Sequence, residues 1–75
     1  MKGIYMKVAL SAIVIIRKDD AGWWGRVKPI TEDDTIKRRL GYDSKIMKTI
    51  NAVKVDIRNY CAKQNIRISK YQIKK

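Results

Sequence analysis

Thr31-Glu32-Asp33-Asp34-Thr35-Ile36-Lys37-Arg38-Arg39-Leu40-Gly41 is the stretch on which the fold turns. Read as a helix, it is capped by Thr31, with residues 32–34 acidic in its first turn and Lys37-Arg38-Arg39 basic in its last. Gly41 then lies just past the end. That polarity suits the helix dipole, and the glycine suits a C-cap. Read as a strand, Glu32-Asp33-Asp34 becomes a hairpin turn, and residues 35–40 form a third strand with Ile36 inward and the cations near a sheet face. The residues leave both readings open. A helix moves the candidate binding surface to the start of the next helix, at Ser44, Lys45 and Lys48; a strand moves it to the sheet.

Upstream, residues 4–16 are rich in Ile and Val and read as a strand buried on both faces for much of its length. The apolar run 8–16 is too short to cross a bilayer. It lacks a small-residue cleavage site and runs straight into Arg17-Lys18-Asp19-Asp20, so a core strand is preferred to a signal peptide. Asp19-Asp20-Ala21-Gly22 has turn chemistry. Trp23 to Ile30 then alternates as a second strand, which Pro29 restricts to a sheet edge or ends.

Downstream, Ile46, Ile50, Val53, Ile57 and Tyr60 recur at three- and four-residue steps, which predicts a helix over 44–64 capped by Asp43 or Ser44. Asn65 is a stop, and residues 66–73 form a last short strand. The expected architecture is one α+β domain over 1–75: a three- or four-stranded antiparallel sheet packed on one long helix.

Composition narrows the function. The 75 residues hold 18 Lys and Arg against 7 Asp and Glu, a formal charge of +11. So much like charge opposes folding through self-repulsion, and its usual partner is a polyanion. A hydrophobic content of 45% argues against disorder. A single cysteine, Cys61, excludes an intrachain disulfide and a cysteine-based zinc site, and the absence of His excludes imidazole chemistry. Unpaired cysteine favours a reducing, cytoplasmic setting. No cofactor or metal is expected. The carboxylates sit mostly in turn-like sequence rather than in a constellation for two metals, and no Gly-rich phosphate loop or nucleophile–base pair is present, so no enzyme activity is expected.

Two basic constellations stand out. In Trp23-Trp24-Gly25-Arg26, with Lys28 following, a strand must send the two indoles to opposite faces. One packs on the helix, and the other either stacks on a base or covers a core edge or a self-association surface. Lys37-Arg38-Arg39 is the densest basic cluster, and Arg67 and Lys70 belong to an acid-free C-terminal end. Such cations track phosphates with strong salt dependence, and arginine forks also suit base edges. The candidate nucleic-acid-binding residues are therefore Trp24, Arg26, Lys28, Lys37, Arg38, Arg39, Lys45, Lys48, Arg67 and Lys70.

Three family patterns are resembled in part. Ile36-Lys37-Arg38-Arg39-Leu40-Gly41 followed by Met47 and Ile50 resembles a helix-turn-helix, with Lys37 where that motif wants a small residue. The order strand, turn, Trp23-Trp24-Gly25-Arg26-Val27, Lys37-Arg38-Arg39-Leu40-Gly41-Tyr42 and helix resembles sheet-reading DNA-binding domains, of the recombinase arm-binding and ethylene-response types. That resemblance implies that Trp24, Arg26, Lys28, Arg38 and Arg39 face a groove. Two strands with a Trp and an Asp-Gly-type turn, then helix and strand, resemble HicB-type antitoxins.

The expectation is a small non-catalytic nucleic-acid-binding protein, DNA ahead of RNA, with the composition of a viral or mobile-element accessory factor. The alternative is an interaction module, inhibitor- or antitoxin-like, that docks on an acidic protein surface. No membrane partner is expected, and a homodimer is left open.

Overall fold

The computed structural model describes residues 10–74. Along them run β1 (Leu10–Asp19), β2 (Gly22–Pro29), α1 (Asp34–Leu40), β3 (Tyr42–Asp43), α2 (Ile50–Lys63) and β4 (Ile66–Lys74). The first strand expected over 4–16 is thus seen from Leu10 and runs on to Asp19, while its residues 4–9 lie outside the described stretch.

β1 and β2 form the expected hairpin, with Val14 opposite Val27 and Asp19 opposite Gly22. Asp19 closes the turn by accepting from the Ala21 N–H at 2.9 Å. Gly22 has φ +149°, a conformation side chains resist, and a Cβ there would lie 2.5 Å from the Met47 carbonyl oxygen.

The four strands form one sheet in the order β3-β2-β1-β4. It is mixed, not antiparallel as expected, because β4 runs parallel to β1 with Ile66 beside Leu10. α2 is the cause. Fourteen residues at about 1.5 Å rise carry the chain back along the sheet, so the last strand starts at the same end as the first.

The ambiguous stretch is a helix from Asp34 to Leu40, so the sheet is packed with two helices rather than one. Asp33, not Thr31, caps it, accepting from the N–H groups of Thr35 (2.9 Å) and Ile36 (3.4 Å). Thr31 instead accepts from the Asp33 N–H and shapes the approach. The two apolar residues of α1, Ile36 and Leu40, fall four apart on one face, and Leu40 packs against the core. A strand would have had no such cap and only a two-residue partner.

The second helix is shorter than predicted, because residues 44–49 are held extended against the edge of β2. Trp23 and Met47 exchange backbone hydrogen bonds, both of 2.7 Å, and the Ser44 N–H donates to the Gly25 carbonyl. Neither Asp43 nor Ser44 caps α2. Asp43 is taken by Arg26, and the Ser44 hydroxyl oxygen accepts from the Gly25 N–H at 3.0 Å. Thr49 caps it, accepting from the Ala52 N–H. Ile46, the first member of the predicted stripe, therefore lies before the helix and is exposed. Asn65 ends α2 with φ +57°.

The core lies between α2 and one sheet face. Ala12, Val14 and Ile16 of β1, Val27 of β2, and Val53, Ile57 and Cys61 of α2 are all buried. Helix and sheet approach closely at Gly25, where a Cβ would crowd Ile57 and lie 2.8 Å from Val53 Cγ1.

Candidate nucleic-acid interface

Strand alternation sorts the side chains into two faces. On β2, Trp23, Gly25 and Val27 share the core face, and Trp23 packs against the core cluster. Trp24, Arg26 and Lys28 therefore point to the opposite face, which is open among the described residues. Their cross-strand partners on β1 are Arg17, Ile15 and Ile13. On β4, Arg67 and Lys70 pair with Ser11 and Ile13, and Gln72 and Lys74 with Ile15 and Arg17. A register shift between Ala12 and Ile13 accommodates Ser69, the point at which Ile68-Ser69-Lys70 departs from period-2 alternation.

The open face thus has an apolar centre, Ile13 and Ile15, with Trp24 at one end. Around it stand Arg17, Arg26, Lys28, Arg67, Lys70 and Lys74. Ile15 is 9% exposed although it lies outside the core cluster. Its cross-strand neighbours Arg26 and Gln72 have long stems that shield such a side chain while their heads stay wet. The Arg26 guanidinium sits 5.3 Å from the Trp24 ring. It also grips Asp43 with two bonds, Nε to Oδ1 at 2.8 Å and Nη2 to Oδ2 at 3.1 Å. The hydrogen bond and charge of Asp43 hold the Arg26 proton even more tightly than usual. Arg26 is therefore paired with Asp43 while it lies over the Trp24 ring. Among the described residues, the other ion pair is Lys37–Asp34 at 3.9 Å, so most cations carry their charge unpaired.

The ten sequence candidates fall into three places. Trp24, Arg26, Lys28, Arg67 and Lys70 share the open face. Lys37, Arg38 and Arg39 lie on α1, exposed. Lys37 and Arg38 flank a groove at the edge of β2 that Lys28 also lines, whereas Arg39 is not among its walls. Lys45 and Lys48 lie in the extended link before α2, not at its first turn, because the helix begins later than predicted. Sequence reasoning missed Arg17 and Lys74. The strand expected over 4–16 stopped short of Arg17, yet β1 runs on to Asp19 and its register sets Arg17 opposite Trp24.

α1 and β3 are fixed to α2 by a tyrosine pair. The Tyr42 and Tyr60 rings stack at 4.1 Å with planes 8° apart. Tyr42 donates its hydroxyl to Asp56 at 2.7 Å, and Tyr60 donates to the Leu40 carbonyl at 2.9 Å. The hydrogen bond to Asp56, aided by desolvation, pushes the Tyr42 hydroxyl up to about 12. Cys61 is buried, and burial raises its thiol; it is a core residue.

No cluster of three or more metal-ligating side chains occurs among the described residues, and no helix there is long and apolar enough to cross a membrane. Comparison with protein-family models, curated proteins and solved structures gives no match.

Proposed function

We propose that the protein is a non-catalytic nucleic-acid-binding module, with DNA as the leading partner, and that the open sheet face is its binding surface. The observation that carries this reading is the segregation of the sheet's faces. One is filled by α2; the other joins Trp24 and two isoleucines to a ring of cations that the protein's own acids leave mostly unpaired. Like charge held this close is destabilising unless a polyanion neutralises it. A half-buried indole on that face, beside guanidinium groups, offers a stacking surface flanked by phosphate contacts. Lys37, Arg38 and Arg39 extend the positive field from the sheet edge onto α1.

The test is a salt titration of binding to labelled oligonucleotides by fluorescence anisotropy. Among the described residues, Arg17, Lys28, Arg67, Lys70 and Lys74 are the open-face cations without an acid partner. At about 0.7–0.9 counterions released per neutralised phosphate, they give a log Kd against log salt slope of about 4 in magnitude. No binding to any duplex or single strand at low salt would overturn the reading.

A further inference from the structure

A second feature lies at the edge of β2. β3 is two residues long and pairs only with Arg26 and Val27. Beyond it, at Lys28 and Pro29, no strand among the described residues lies beside the outer edge of β2. The chain swings out through Ile30 and Thr31 to form α1 and returns at Gly41. The space left between edge and helix is an open groove of about 610 Å³. That is within the roughly 300–1,000 Å³ that small-molecule sites occupy.

The walls of the groove differ in chemistry. Lys28 comes from β2, and Lys37 and Arg38 from α1; Pro29, Ile30 and Tyr42 supply apolar surface. Ile30 is 49% exposed, a large aliphatic side chain left in solvent beside three cations. Asp43 also lines the groove, but both its oxygens are held by Arg26. Asp34 offsets Lys37 only at 3.9 Å. An apolar patch next to concentrated positive charge matches a ligand that has an apolar part, such as a base, joined to an anion. Lys28 belongs to both the groove and the open face, so a strand lying on the sheet passes the groove's mouth.

We propose that the groove seats one unpaired nucleotide of the bound strand, its phosphate against Lys28, Lys37 and Arg38 and its base against Pro29 and Ile30. This rests on the nucleic-acid reading above and deepens it: the protein selects single-stranded over duplex nucleic acid. A base held in a duplex reaches such a seat only after unstacking and unpairing, at a cost of a few kcal/mol. A single strand pays little of that.

Two measurements on the full chain test this. The first compares anisotropy titrations of a single-stranded oligonucleotide and its duplex at one salt concentration, for wild type, Ile30→Ser and Arg38→Gln. Wild type should bind the single strand at least tenfold tighter. Ile30→Ser removes an exposed apolar wall without changing charge, so it should weaken single-strand binding by about tenfold, the order of losing one apolar contact, and leave duplex binding unchanged. Arg38→Gln should weaken the single strand more than the duplex. Duplex binding equal to or tighter than single-strand binding, or a preference untouched by Ile30→Ser, overturns the groove while the open-face reading stands. Wild-type failure to bind either polymer overturns both. The second measurement titrates thymidine monophosphate and inorganic phosphate separately, followed by amide NMR shifts. The nucleotide should shift residues 30–31 and 37–38 at concentrations where phosphate alone does not. Equal shifts from both would reduce the groove to an anion site and overturn the base seat.

Discussion

Removing one oxygen, by Tyr42→Phe, tests how α1 and β3 are held against α2. Tyr42 sits between α1 and α2. Its ring stacks on Tyr60, and its hydroxyl donates to the Asp56 carboxylate at 2.7 Å. Phenylalanine keeps the stack and deletes only that hydrogen bond. A bond to a charged acceptor contributes about 1.5–3 kcal/mol, and a half-buried one whose acceptor is open to water falls below that range, so a loss of about 1 kcal/mol is expected at neutral pH. In a domain of this size that lowers Tm by about 4–8 °C. The effect also has a pH signature. The folded protein holds the Tyr42 proton up to about pH 12, above the 10.0 of a free tyrosine. Folding therefore gains from this proton fully below pH 10, and the gain is lost as pH rises through 12. Urea unfolding followed by Trp fluorescence at pH 7 and near pH 11 should show the wild-type advantage over Tyr42→Phe shrinking at the higher pH. Subtracting the variant removes the contribution of lysine titration, which the two proteins share. A variant as stable as wild type at neutral pH, or an advantage that stays constant or grows with pH, would refute the argument.

Two further outcomes follow from the packing. Gly25→Ala should destabilise by about 1–3 kcal/mol in urea unfolding: the Ile57 terminus is free to swing aside, but Val53 Cγ1, 2.8 Å from the new Cβ, belongs to a β-branched side chain whose rotamer the helix fixes. Cys61 is 2% exposed and its thiol is raised by burial. Its reaction with a thiol reagent should be at least about a hundredfold slower in the native protein than in denaturant.

Much of this architecture is legible in the residues. The Asp19–Gly22 turn, the alternation through Trp23 and Trp24, the stripe through Val53 and Ile57, and Asn65 as a stop all state local preferences that the fold keeps. Three features depend on contacts far apart in the chain. The start of α2 moved from Ser44 to Ile50 because backbone bonds between Met47 and Trp23, across 24 positions, outweigh the helical propensity of 44–49. The direction of β4 follows from the length of α2 and leaves no mark in β4's own composition. The fate of 31–41 rested on which acid would cap, and Asp33 satisfies two N–H groups where a strand would satisfy none. On the open sheet face, the placement of Trp24, Arg26 and Lys28 was readable from period two alone. Their union with Arg67, Lys70 and Lys74 needs the parallel placement of β4 on the far side of β1.

The most direct test of the central claim is an amide and indole NMR map of the protein titrated with a single-stranded oligonucleotide at low salt. The account predicts that the largest shifts fall on Trp24, Arg26 and Lys28, on Arg17, and on Arg67 and Lys70 of β4, with the outer surface of α2 unmoved. Shifts concentrated on Lys54, Arg58 and Lys63 of α2, with Trp24 unchanged, would contradict it.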